Sequence, residues 1–167
     1  MHNRGHFCMK YEAAKIDDSD RRLLQAMQRD ASASQAELAA AAGISPSLVS
    51  RRLSRLKENG VLRAVVGLVH AESAGLSCGA IIRVRLKDHA AASVKQFRDL
   101  VTRMEEVTLC VMLTGEADYL IKLCARDLPH FQEIVQQKLL RCPAIAHLES
   151  SIILEYLKDT TELPLDA

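Results

Sequence analysis

Hydrophobic positions change their period near residue 78, and that change divides the chain. From 16 to 62 they recur at helical spacing. Leu23, Leu24 and Met27 form one stripe, which predicts a helix over about 18–29. Asp17 stands before it as an N-cap, and Asp18 and Asp20 put negative charge where the helix dipole favours it. Ser34-Gln35-Ala36-Glu37 fits a capping box, followed by Leu38, Ala39 and Ala42 and stopped by Gly43. Ile44 alone separates that glycine from Ser45-Pro46, an N-cap and N1 proline opening a third helix to about Glu58. Two helices joined this tightly around a glycine predict a helix-turn-helix.

The third helix has two unlike faces. At 100° per residue Val49, Leu53 and Leu56 share one sector and face the core. The opposite sector holds Ser47, Ser50, Arg51, Ser54 and Arg55, without a carboxylate. Small side chains let a helix enter the major groove, and arginine donates to guanine or to phosphate. With Ser45 and Arg52 these residues form the candidate DNA surface, although Arg52 lies on the flank and suits phosphate or an intramolecular partner. Val61–Val69 is β-branched enough to predict a strand serving as wing or tether.

Beyond a small-residue linker at 70–77 the pattern alternates. Residues 80–87 read as a strand and 90–104 as a helix carrying Val94, Phe97, Leu100, Val101 and Met104. A buried strand is predicted over 107–113, a turn at 115–118 and a strand at 119–125. A helix follows over 128–140, then mostly strand from 145 to 157. The order βαββαβ is the ferredoxin-like split motif. Apolar residues occur at both parities of the strands near 107–113 and 152–157, so the face away from the helices needs a cover. A second copy is the simplest one.

Charge sharpens the division. The 167 residues carry a net charge of +1, but residues 1–67 hold eleven Lys and Arg against seven Asp and Glu, whereas 68–167 hold eleven against fourteen. A basic front half suits a polyanion. No run reaches the roughly 18 apolar residues of a membrane span, and the first fifteen residues lack the apolar core of a secretory signal. Five cysteines without a C-x-x-C pair are expected to be reduced, which predicts a cytoplasmic protein with no membrane contact. The six histidines show no ligand spacing, so no metal and no cofactor is expected.

Together these segments resemble the Lrp/AsnC, or feast/famine, transcriptional regulators. The resemblance spans about residues 16–165. It is carried by Ile16-Asp17 with Asp20, by Glu37-Leu38-Ala39 with Gly43-Ile44-Ser45, and by Val49-Ser50-Arg51-Arg52-Leu53 with Leu56-Lys57-Glu58-Asn59-Gly60-Val61-Leu62. Thr114-Gly115-Glu116-Ala117-Asp118-Tyr119-Leu120 and Thr160-Thr161-Glu162-Leu163-Pro164-Leu165 complete it.

The resemblance implies an α+β chain: an N-terminal winged helix-turn-helix domain and a C-terminal ferredoxin-like (βαββαβ) sensor and dimerisation domain. The corresponding segments are a tail at 1–15, the DNA-binding domain at 16–62, strand and linker at 63–77, the sensor at 78–159 and a C-terminal tail at 160–167. It further implies a double-stranded-DNA-binding regulator that is not an enzyme, that dimerises and often builds octamer-like discs, and that answers to an amino acid or related metabolite.

The family's effector loop matches Thr114, Gly115, Glu116, Ala117 and Asp118. There a glycine exposes backbone donors to a carboxylate and Asp118 is placed to hold an ammonium. A plain hairpin turn with Asp118 bonded to local backbone is the alternative. Many members carry an aromatic residue where Ala117 stands and glycine where Ala144 stands; alanine at 117 widens the pocket. Two other functions share this layout: a sirohaem-decarboxylase-like enzyme, and a constitutive architectural DNA-binding protein. The serine and arginine face of the third helix favours DNA over a tetrapyrrole.

Overall fold

The computed structural model describes residues 15–165, so nearly all of the tail expected at 1–15 lies outside it. The chain divides into two units, one comprising residues up to Gly67 together with those from Asp159 onward, the other Leu68–Lys158.

In the first unit three helices form as the pattern requires: α1 (Asp18–Arg29), α2 (Gln35–Ala42) and α3 (Pro46–Glu58). Asp17 and Asp20 make a reciprocal capping box on α1, and Ser34 and Glu37 do the same on α2. Gly43 ends α2 at φ +65°, a left-handed conformation in which any side chain would be strained. Arg22 donates from Nε to the Ala42 carbonyl, placing a cation at the negative end of α2. Leu23, Leu24, Leu38, Ala39, Ala42, Val49 and Leu56 form the core.

Two expectations change here. Val61–Val69 forms no strand: Val61 and Leu62 pack on the helical core, but Val65, Val66, Leu68 and Val69 stand exposed. A lone segment cannot satisfy its backbone as a ladder, and among the described residues no strand pairs with it. The C-terminal tail, expected as a separate segment, packs on α1. Leu163 N–H donates to Gln28 Oε1 at 2.7 Å, Gln28 Nε2 returns a bond to the Leu163 carbonyl, and Arg21 Nη1 reaches the Leu165 carbonyl.

The second unit is a four-stranded antiparallel sheet with helices on one face. Its elements are β1 (Cys78–Leu86), α4 (Ala91–Arg103), β2 (Val107–Met112), β3 (Tyr119–Ala125), α5 (Leu128–Ile134) and β4 (Ile145–Ile152), in strand order β2-β3-β1-β4. Alternate residues of β1 (Ala80, Ile82, Val84) and β3 (Ile121, Leu123, Ala125) are wholly buried beneath Phe97 of α4 and Ile134 of α5.

The helix expected to reach residue 140 is α-helical only to Ile134. It then widens into a π turn over Val135–Leu139, where Leu140 N–H bonds the Val135 carbonyl. The final strand stops at Ile152 rather than continuing toward 157. Its neighbour β1 begins at Cys78, so after Ile153 N–H meets the Gly79 carbonyl there is no further ladder to join. The chain instead crosses the open sheet face at Gly79. A Cβ there would lie 2.9 Å from the Tyr156 hydroxyl, so a larger residue would have to displace that ring.

Candidate nucleic-acid interface and effector loop

The outward side of α3 carries Ser47, Ser50, Arg51, Ser54 and Arg55, all exposed, while Val49 and Leu56 beneath them are buried. Ser50 Oγ accepts from Gln35 Nε2 at 2.8 Å, so the first turn of α2 orients one hydroxyl of this face. Ser45 occupies the N-cap position, but its side chain makes no cap bond; its hydroxyl lies 3.1 Å from that of Ser47.

The arginines divide into two kinds. Among the described residues Arg51 has no ion-pair partner and projects from the polar face. Arg52, grouped with the DNA-facing residues in the sequence, turns inward instead. Its Nη1 donates to both oxygens of Asp17, at 2.8 and 2.7 Å, and to Asp20 Oδ1 at 2.8 Å. Two carboxylates at the start of α1 draw it there, the more strongly because its side chain is three-quarters shielded from water. Arg55 is intermediate: Nη2 pairs with Asp20 Oδ2, yet half the side chain remains exposed.

Asp20 itself is fully buried. Asp17 is held below the usual carboxylate range, first by Arg52 and then by the Asp20 N–H, and Arg52 is pushed above its ordinary value by Asp17. Sequence spacing alone does not reveal this clamp, because α1 and α3 meet only in the folded bundle.

In the second unit, residues 113–118 form the β2–β3 turn. Gly115 sits at its tip at φ +123°, with open space where a side chain would project. Thr114, Glu116 and Ala117 line a cavity of about 320 Å³ whose remaining walls are Arg83, Val84, Arg85, Leu113, His147 and Glu149.

Asp118 does not join that lining. Its Oδ2 accepts from Leu86 N–H at 2.7 Å and its Oδ1 lies 2.8 Å from His89 Nε2. Its backbone N–H donates to the Val84 carbonyl, and its own carbonyl accepts from Leu113 N–H. The Leu86 N–H, followed by His89, holds the Asp118 carboxyl below the usual range. Asp118 therefore braces the hairpin against the end of β1 and turns its other oxygen to His89, away from the cavity lining.

The charged walls that sequence reading missed come from strand register. Arg83 faces Glu149 across β1 and β4, with 3.6 Å between their charged atoms, and Arg85 faces His147. Their strict alternation along β1 marked them only as a wet face. Among the described residues no cluster of three His, Cys, Asp or Glu is placed to hold a metal, and no helix is long and apolar enough to cross a membrane.

Residues 79–163 match the Lrp/AsnC ligand-binding domain family, and residues 16–63 match a winged helix-turn-helix DNA-binding family. Among curated proteins, the chain is 30% identical to the DNA-binding transcriptional activator DecR of Escherichia coli over 90% of its own length and 99% of that protein's. It is 28% identical to the transcriptional regulator AzlB of Bacillus subtilis over 90% and 96%. Among solved structures it is similar to a Neisseria meningitidis transcriptional regulator in complex with L-Met, at TM-score 0.87 and 34% identity, covering 91% of this chain and 98% of that one. E. coli AsnC superposes at TM-score 0.81 with 27% identity, covering 90% and 99%.

Proposed function

Because the chain belongs to the Lrp/AsnC family of transcriptional regulators, we propose that it is a sequence-specific DNA-binding regulator whose α3 enters the major groove and whose activity answers to an amino acid or related metabolite. The observation that carries the DNA reading is the exposed face of α3. Five polar side chains there, two of them arginines, project outward with no carboxylate among them. Ser47, Ser50 and Ser54 are small enough for close approach, and Arg51 stands ready to donate two parallel hydrogen bonds to one base.

The effector reading rests on the cavity beside Thr114, Glu116 and Ala117. Arg85 suits a carboxylate, and Glu116 or Glu149, in place of Asp118, suits an ammonium. That the Neisseria relative holds L-Met supports the class of ligand. A second copy is expected on the open sheet face, where Ile81, Val111 and Leu120 are only half-buried and Leu109 is exposed. A ligand at its edge alters DNA binding only through unequal affinity for two arrangements of the copies. The curated relatives are named as regulators, which supports a binding protein over an enzyme.

The test begins with enrichment of a preferred duplex from a randomised library by the full chain. Arg51→Ala should weaken binding to that duplex by about 1–3 kcal/mol and relax selectivity at one base pair. A variant that binds the enriched duplex as tightly as the parent removes this face from the interface. Calorimetric titration with free amino acids tests the effector reading separately.

A further inference from the structure

We infer that Asp20 is a positioning residue for DNA recognition: from inside α1 it fixes the pose in which Arg55 is offered to DNA and keeps Arg52 away from it. The inference rests on the DNA-binding reading above and concerns the same helix.

Asp20 is the one fully buried charged side chain among the described residues. A carboxylate out of water is tolerated only when paired and hydrogen-bonded, and here every partner is in place. Oδ2 accepts from Asp17 N–H at 3.2 Å and pairs with Arg55 Nη2; Oδ1 accepts from Arg52 Nη1 at 2.8 Å. A buried ion pair is a poor way to gain stability, since an apolar side chain of similar volume often serves as well. Its better-attested use is to specify one arrangement, and this one joins α1 to α3 at chosen positions.

Those positions treat the two arginines differently. Arg52 spends one nitrogen on three carboxylate oxygens and is 23% exposed. Arg55, three residues on, meets Asp20 at the edge of the clamp and keeps 48% exposure. It also lies four residues after Arg51, so it borders both the clamp and the outward face. Arginine is a planar fork with five donors. Fastening one nitrogen fixes the plane of the rest, so less rotamer freedom is lost when DNA arrives. An arginine without that anchor reaches phosphates anywhere nearby, which adds affinity without selectivity.

The discriminating variant is Asp20→Asn, which preserves size and an acceptor while removing the charge. The full chain is used throughout, with the duplex it enriches and a scrambled duplex of equal length. We expect the ratio of the two affinities to fall about tenfold, with scrambled-duplex affinity unchanged or higher and a salt slope steeper by about one. A role in folding alone lowers both affinities by one common factor, leaves the ratio intact, and overturns the inference.

Arg55→Ala keeps the idea falsifiable if Asp20→Asn does not fold, because Arg55 is half exposed. It should lose the same ratio, and an unchanged ratio sinks the inference. In the double variant the two losses should not add, and full additivity counts against it as well. If the unaltered chain enriches no sequence at all, the DNA reading itself has failed, a result distinct from equal discrimination by the parent and Asp20→Asn.

Discussion

Among the described residues, seven buried apolar side chains form the core of the helical unit, whereas eighteen line the core of the sheet unit. The smaller core is supplemented by polar fastenings. Arg52 and Arg55 clamp α3 to α1, Arg22 closes the end of α2, and the C-terminal tail lies along α1. In the sheet unit Asp118 braces the β2–β3 turn and Lys138 pairs with Glu106, while Arg83, Arg85 and Glu149 remain at the rim of the open face around a cavity. The contrast follows from surface-to-volume scaling. The helical unit, whose described residues number about sixty, has more surface for its volume and so gains less from packing alone. The sheet unit uses charged fasteners too, but beside its larger core further charges stand free of that task at the cavity rim.

The sharpest way to break this contrast is to weaken each core in turn. Leu23→Ala removes a fully buried side chain from the smaller core and should cost about 2–5 kcal/mol. Calorimetry should then separate an early transition of the helical unit from an unshifted one of the sheet. Ile121→Ala, with a similar cost, should reverse the order. Two transitions that move together in both variants would show that the units do not melt independently, and the contrast would fail.

Asp118→Asn comes next. The native carboxyl is depressed, so its contribution is complete above the unfolded pKa of about 3.9 and is lost as pH falls through the lower folded value. The variant should lose about 1.5–3 kcal/mol at pH 7, the range for a hydrogen bond to a charged group. Urea titrations at pH 7 and pH 3 should show that deficit shrinking in acid. Equal deficits at both pH values would mean that Asp118 acts by shape and not by charge.

Ending the chain after Lys158 removes the bonds to Gln28 and Arg21 and the Leu165 contact with the helical core. Loss of about 1–2 kcal/mol is expected, confined to the helical unit. Hydrogen exchange in α1 should quicken while β1 and β3 stay protected. The smallest effect is Lys95→Ala, which breaks an exposed i,i+4 pair with Asp99 on α4 and should cost only about 0.3–0.5 kcal/mol. A larger loss would mean that surface charge matters more to the sheet unit than the contrast allows.

What was legible in the sequence was whatever depends on neighbours along the chain. Helix starts at Asp17 and Ser34, the stop at Gly43, the outward face of α3 and the βαββαβ order all arise from local periodicity and capping, and the structure carries each of them. The family membership rests on the same local segments.

Tertiary structure decided what depends on residues far apart. Arg52, read as a flank cation for phosphate or for an intramolecular partner, was drawn inward by Asp17 and Asp20, more than thirty positions earlier. Asp118, read either as a ligand group or as a backbone-bonded hairpin brace, received its backbone partner from the fold: the Leu86 N–H, thirty-two positions away. The end of β4 was set by where β1 begins, and Val61–Val69 forms no strand because none of the described residues pairs with it. In each case the side chain or backbone group had a predictable chemistry, and only the fold selected its partner. A charge or an unpaired backbone group takes whichever partner the packed chain brings within hydrogen-bond distance, and hydrophobic period alone does not encode that distance.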